Sequence, residues 1–122
     1  MTDQMKYAAW ISILAMTFAV AACGDDESTG EAQDVSDILA LTGDATAGGA
    51  IYTGAGTCAS ASCHGSTGDD GAGAKLTEVV PGLSDEAMAL SIRYGKGTMT
   101  AQPNLTAQQI ADSIAYIKTL GM

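Results

Sequence analysis

Basic residues are scarce in this chain of 122 residues. It has five Lys and Arg against 14 Asp and Glu, which gives a formal net charge of −9 at pH 7. Proteins that bind nucleic acid neutralise its phosphates with clustered Lys and Arg side chains. We therefore expect no nucleic-acid partner.

Bulky side chains are also few. Aromatic residues make up 5% of the chain, and its one Trp, Trp10, lies near the N-terminus. The length allows one small domain. A domain of this size with so few large side chains often depends on a disulfide, a metal or a cofactor for its stability.

The longest apolar run covers residues 7–22, about the length of a signal-peptide core and short for a membrane-spanning helix. It ends in residues 20–23, Val-Ala-Ala-Cys, which resemble a bacterial lipobox. The resemblance implies cleavage before Cys23 and a lipid on its sulfur. We expect a lipoprotein signal peptide over residues 1–22, with an uncleaved N-terminal anchor as the alternative. Either one places the rest of the chain on the periplasmic side of a bacterial membrane.

No Lys or Arg occurs in residues 24–42, which contain six Asp and Glu. Repulsion between these charges favours an extended chain. We therefore expect residues 23–42 to form a flexible acidic linker that begins at the lipidated Cys23, and residues 43–122 to form the folded domain. The apolar residues Ile38, Leu39 and Leu41 suit a short docking turn at the end of this linker.

Helical patterns occur in three parts of the expected domain, at about residues 44–52, 85–94 and 107–120. Each follows a residue suited to an N-cap: Asp44, Ser84 and Thr106. In the first helix, Gly48 permits close contact with a crossing helix; the alternative is that this helix is short and frayed.

Strand patterns are missing, and residues 54–82 are rich in Gly and Ser with no helical or alternating period. A structureless stretch of this length is unusual in a compact domain unless something else organises it, as a bound cofactor would. We expect an all-α fold with long Gly-rich loops.

Two Cys follow Cys23 in the chain, and His64 comes directly after the second of them. Attachment of a haem requires two thiols for its vinyl groups and a neighbouring His for its iron, and the usual motif is Cys-x-x-Cys-His. Here four small residues, 59–62, separate Cys58 from Cys63, so the extra two must bulge out. A Cys58–Cys63 disulfide and a zinc site are the alternatives, although His64 as the single imidazole leaves a zinc site short of ligands.

A second iron ligand would separate these possibilities. Three Met residues follow Cys23. Met88 lies in the second expected helix, where Met usually packs in the core, and Met122 is the last residue. Met99 lies in an irregular loop after that helix, where its thioether can approach an iron from the side opposite His64; the alternative is a loop Met that fills a gap in the core.

Residues 64–65 (His-Gly), 95–99 (Gly-Lys-Gly-Thr-Met) and the capped final helix together resemble the class I c-type cytochromes. The resemblance covers residues 43–122. It implies a small cytochrome c-like fold with about three main helices around one covalent haem c. It also implies Cys58 and Cys63 as thioether links, with His64 and Met99 as the axial iron ligands.

The sequence departs from that family beyond the Cys spacing. Thr100 follows Met99 where the family usually has Pro. Residues 74–76, Ala-Lys-Leu, stand where a Pro-x-Leu segment commonly provides the carbonyl that orients the imidazole, so the hydrogen-bond partner of His64 is not predicted.

These features predict an electron carrier rather than an enzyme. Its expected partners are redox proteins of the membrane or periplasm, and its lipid anchor is expected to hold it at the membrane. Two alternatives stay open: a haem-free, disulfide-linked lipoprotein that acts as a binding module, and a haem sensor or peroxidase-like subunit whose distal Met dissociates.

Overall fold

The computed structural model describes residues 26–122, with side chains described from residue 30 onward. This part of the chain contains five α-helices: α1 (Asp26–Leu39), α2 (Ala45–Thr53), α3 (Leu76–Val79), α4 (Asp85–Tyr94) and α5 (Ala107–Leu120). It contains no strand, only an isolated bridge between Lys96 and Met99. The expected all-α, cytochrome c-like fold class is confirmed.

The crossing of α2 with α5 is the main helix contact of the molecule. Gly48 of α2 lies so close to α5 that a Cβ on it would overlap the carbonyl oxygen of Asp112, and a Cβ on Gly43 would overlap that of Ala111. The Tyr52 and Tyr116 rings pack on each other with centroids 5.2 Å apart. Gly48 therefore has the role that the sequence indicated.

The expected N-caps are present. The Asp44 carboxylate accepts a hydrogen bond from the amide of Ala47 at 2.9 Å, and the Ser84 hydroxyl accepts one from the amide of Ala87 at 3.1 Å. Thr106 and Gln109 form a reciprocal capping box at the start of α5. These bonds satisfy amides that have no partner within the first turn of a helix.

The acidic segment that was expected to be extended is helical over Asp26–Leu39. Val35 and Ile38, three residues apart on one face of α1, are 4% and 1% exposed. This face packs against α4 and α5, while the acidic side chains Glu31 and Asp37 remain exposed. Burial of two β-branched side chains at helical spacing outweighs the repulsion between carboxylates that are exposed to water.

The loop between α2 and α4 holds a short helix that the sequence analysis missed. Helix α3 and a 3₁₀ turn over Val80–Gly82 bury Leu76 and Val80 in the core. Both elements are too short for a periodic pattern to reveal them. Within residues 26–122, no helix is long and apolar enough to cross a membrane.

Candidate functional site

A cavity of about 590 Å³ opens between the loop that follows α2 and the segment that runs from α4 to residue 102. Its volume falls in the range of sites that hold small molecules and cofactors, about 300–1,000 Å³. Cys58, Cys63, His64 and Met99 all line it. Much of the remaining wall is apolar, formed by Leu76, Val79, Val80, Leu83, Met88, Ile92 and Ile117.

The four residues between the two Cys form a compact turn at the edge of this cavity. The His64 amide donates to the Cys58 carbonyl at 3.0 Å, and the Cys63 amide donates to the Ser60 carbonyl at 2.9 Å. Ser60, Ala61 and Ser62 are exposed. The turn therefore brings Cys58, Cys63 and His64 to one cavity despite the longer spacing.

The imidazole of His64 is held by the backbone of the loop. Its Nδ1 lies 2.8 Å from the Ala74 carbonyl oxygen. A carbonyl only accepts, so Nδ1 carries a proton, and in the neutral imidazole the lone pair then lies on Nε2, the form in which a histidine binds a metal. Ala74 thus provides the partner that the sequence left open, and at the position where the family commonly has Pro.

Neighbouring hydrogen bonds fix the loop on both sides of His64. The amide of Gly71 donates to the His64 carbonyl at 3.1 Å, and the buried Tyr52 hydroxyl donates to the Gly65 carbonyl at 2.7 Å. Gly65 has φ +79°, and a Cβ there would overlap the Asp70 side chain. The course of the backbone that carries the imidazole is therefore fixed by contacts with Tyr52, Asp70 and Gly71.

Two carboxylates inside the loop were missed by the sequence analysis. Asp70 accepts from the amide and hydroxyl of Thr67, each at 3.0 Å, and from the Ser66 hydroxyl at 2.9 Å. Asp69 accepts from the amide and hydroxyl of Thr77. These bonds hold the pKa of both carboxyls below the usual Asp value. Asp close to Ser and Thr in a Gly-rich stretch is the signal for such turns.

The Cys58 thiol is largely shielded from water. Burial, followed by the nearby Cys63, raises the pKa of the Cys58 thiol, so Cys58 is uncharged near neutral pH. In the described part of the chain no disulfide joins Cys58 and Cys63. That part also contains no group of three or more His, Cys, Asp or Glu side chains able to hold a metal ion, so the zinc alternative has no support.

Two thioethers lie beside the cavity rather than one. Met99 sits in a tight turn in which its amide donates to the Lys96 carbonyl at 2.9 Å and its carbonyl accepts from the Lys96 amide at 3.2 Å. Met88 projects from α4, is 4% exposed and also lines the cavity. Sequence position predicted Met88 only as a core residue, because a helical pattern does not show which buried residues face a cavity.

These residues fit a haem held through two thiols. Both Cys and the unprotonated Nε2 of His64 belong to one loop, the cavity wall is largely apolar, and a thioether lies on a separate segment. An apolar wall matches the macrocycle, and thiol, imidazole and thioether are the groups that hold a c-type haem and its iron. Both the donor set and the cavity therefore suit a c-type haem.

Comparison with known proteins gives the same result. The sequence model of the family described as "Cytochrome C oxidase, cbb3-type, subunit III" matches residues 43–117, which include both Cys, His64 and Met99. No curated protein and no solved structure matches the chain significantly. Domains of this family are c-type cytochromes with a covalently bound haem, which carry electrons between redox partner proteins. Because the family model matches more than half of this chain, the chain belongs to the cbb3-type cytochrome c oxidase subunit III family.

Proposed function

We propose that this protein is a single-haem electron carrier in which Cys58 and Cys63 form the thioether links and His64 and Met99 are the axial ligands. One observation carries the proposal: all four side chains, chosen from the sequence, line the same cavity. When bound, the haem iron supplies the one-electron oxidation and reduction.

The protein's own residues set the conditions for that chemistry. The Ala74 carbonyl holds the imidazole in the tautomer that offers Nε2, and Met99 supplies a soft sulfur ligand. His/Met ligation raises the reduction potential, and the apolar wall formed by Leu76, Val80 and Ile92 raises it further because it disfavours the more highly charged oxidised state. With both axial positions held by side chains, no position is left for a substrate. These features favour transfer of electrons over catalysis.

Substitution of each of the two thioethers tests the ligand set. Met99→Ala should abolish the long-wavelength sulfur-to-iron absorption band, lower the reduction potential and let the reduced protein bind carbon monoxide. Met88→Ala should keep the band and lose only stability, by about 2–5 kcal/mol for a truncated core side chain.

The reverse result, with the band lost in Met88→Ala and kept in Met99→Ala, would make Met88 the ligand. Rapid binding of carbon monoxide by the reduced wild-type protein would instead favour a sensor or peroxidase-like subunit with a dissociable Met.

We further propose that the protein is a lipoprotein attached through Cys23 on the periplasmic side of a bacterial membrane, where it meets membrane or periplasmic redox partners. Cys23 and the proposed signal peptide, residues 1–22, lie outside the described residues; the proposal is supported by the lipobox-like residues 20–23 after an apolar run. Wild-type protein should incorporate labelled fatty acid and partition into detergent. Cys23→Ser should take up no label and should either be released from the membrane or remain as an uncleaved precursor, and a wild-type protein that takes up no label would contradict lipidation.

A further inference from the structure

The Arg93 side chain connects two segments that lie far apart in the sequence. It projects from α4 with 13% of its side chain exposed. On one side its Nε lies 2.8 Å from Oδ2 of Asp34 in α1, and its Nη2 donates to Oδ1 of the same carboxylate at 3.4 Å. The Nε hydrogen is not aligned with a hydrogen-bond acceptor, so the shorter contact is an ion pair. The Asp34 side chain is 31% exposed, so the pair is partly buried and is screened less by water than a fully exposed salt bridge.

The other side of the guanidinium holds the loop that carries Met99. Nη1 donates to the Leu105 carbonyl at 2.6 Å and lies 3.4 Å from the Pro103 carbonyl oxygen. Both carbonyls belong to the stretch between Met99 and α5. The Gln102 amide donates to the Ile92 carbonyl of α4 at 2.8 Å. The loop is therefore held to α4 at residue 102 as well as at residues 103 and 105.

Docking of α1 fixes the position of the guanidinium. Val35 and Ile38 bury one face of α1, and the Tyr94 hydroxyl donates to Oδ2 of Asp34 at 2.9 Å. The carboxylate that pairs with Arg93 is therefore itself held in place. Helix α1 also precedes the residues that match the family, which begin at residue 43.

We propose that Arg93 is a positioning residue through which the docked helix α1 keeps the Met99 loop closed over the cavity. The inference rests on the proposed function, since it takes Met99 as the distal ligand. Without the Asp34 carboxylate the guanidinium loses its fixed position, and the two loop carbonyls lose a fixed donor. The loop then opens more often, and a small external ligand reaches the distal side of the cavity more easily. An element upstream of the matched domain thus controls access to the iron.

Binding of imidazole to the oxidised haem-loaded full chain tests this proposal, because displacement of Met99 requires the loop to open. The apparent affinity then scales with the open fraction. Asp34→Asn and Arg93→Gln should each raise it roughly tenfold, the change expected for loss of one charge-assisted hydrogen bond. Arg93→Lys should lie between Arg93→Gln and wild type, because one ammonium cannot span both sets of acceptors.

Asp37→Asn is the matched control. It removes the same charge from the same helix, but Asp37 is exposed, and among residues 30–122 its one side-chain partner is Gln33. Its imidazole affinity should equal that of wild type. A double-mutant cycle between Asp34→Asn and Arg93→Gln should be strongly non-additive, and one between Asp37→Asn and Arg93→Gln should be additive.

The outcomes separate the two proposals. A wild-type protein whose sulfur-to-iron band is missing, or is unchanged in Met99→Ala, would overturn the ligand set. A band that depends on Met99, together with wild-type imidazole affinity in Asp34→Asn and Arg93→Gln, would overturn the role of Arg93 alone. Lower thermal stability of these two variants with unchanged imidazole affinity would have the same meaning, since it would show a purely structural contact.

Discussion

Tyr52 shows how one buried side chain connects the α2–α5 crossing with the loop that carries His64. Its ring packs on Tyr116 of α5, its edge lines the cavity and its hydroxyl bonds to the Gly65 carbonyl. Burial is the main reason that the pKa of its phenol rises from 10.0 to about 12. A negative charge here would be costly, because Tyr52 has no exposed surface.

This pKa predicts loss of stability in alkaline solution. The unfolded phenol ionises near pH 10, whereas the folded one holds its proton to about 12. The contribution of the neutral phenol is therefore complete below pH 10 and decreases as the pH rises toward 12. Denaturant unfolding at a series of pH values should show this fall in wild type and a shallower one in Tyr52→Phe. Equal slopes in the two proteins would contradict the prediction.

The same substitution should also lower stability at neutral pH by about 1–3 kcal/mol, because the Gly65 carbonyl loses its buried donor. Cys58, His64 and Met99 could be selected as candidate site residues from the sequence because their types and order carry the chemistry. The Ala74 carbonyl was not, since it depends on the course of the loop rather than on a side chain. Met88 was predicted as buried, but its place in the cavity wall depends on how α4 is rotated against the loops.

At the scale of helices, Gly48 gives the sharpest prediction. Gly48→Ala places a Cβ against the Asp112 carbonyl, and the α2–α5 crossing must widen. Overpacking of this kind costs about 1–3 kcal/mol, which exceeds the gain of up to about 1 kcal/mol from higher helix propensity. Chemical denaturation of the haem-loaded protein measures the difference.

Gly30→Ala is the matched substitution, because Gly30 lies within α1 and a Cβ there meets nothing within 4 Å. It should leave stability unchanged or raise it slightly. Destabilisation by both substitutions to the same extent would show that the close contact at Gly48 is not the cause.

Helix α1 also provides a pair of neighbouring residues with opposite exposure. Ile38 is 1% exposed and Leu39 is 43% exposed. Ile38→Ala should cost about 2–5 kcal/mol of unfolding free energy, whereas Leu39→Ala should change it by less than about 0.5 kcal/mol. Equal effects would mean that α1 does not pack as described. The result also decides whether residues 24–42 act as a linker or as part of the domain.

The sequence could not predict how α1 docks. Helix α1 has an acidic exposed face and a narrow apolar face. The composition of the whole segment does not separate these two faces, and taken together it is typical of an extended linker. The partners that favour the helix, Arg93 and Tyr94, lie far along the chain from Asp34. By contrast, α4 and α5 were predicted accurately, because their caps and apolar spacing are local signals.

For the whole molecule, the mass of the intact protein distinguishes a covalent haem protein from a haem-free protein with a Cys58–Cys63 disulfide. Purified from a host that matures c-type cytochromes, the Cys23→Ser protein should exceed the mass of its polypeptide, cleaved or uncleaved, by one haem. Cys58→Ala with Cys63→Ala should lose that added mass. A Cys23→Ser mass two hydrogens below that of the polypeptide would show a Cys58–Cys63 disulfide and contradict covalent haem.

The overall architecture was predictable because it depends on a few strong signals: three capped helices, a long Gly-rich loop and no strand pattern. Placing the walls of the cavity required long-range contacts. Leu76 and Val80 belong to elements of four and three residues, too short for any period to be visible. Their burial follows from packing against α5 and the turns of the loop, which no local pattern records.

The α2–α5 crossing has a consequence for the order in which the chain becomes structured. Helix α5 follows every other helix along the chain, yet it supplies the surface on which α2 closes. A chain synthesised only as far as α4 lacks this contact, and a helix of 9 residues is marginal alone, so we expect α2 to stay unpacked even where α1 already contacts α4. We therefore expect the α2–α5 crossing to form only after residues 107–120 have been synthesised. Until then we expect the loop that carries Cys58 and Cys63 to stay open to solvent, so that its thiols react faster before α5 packs than after.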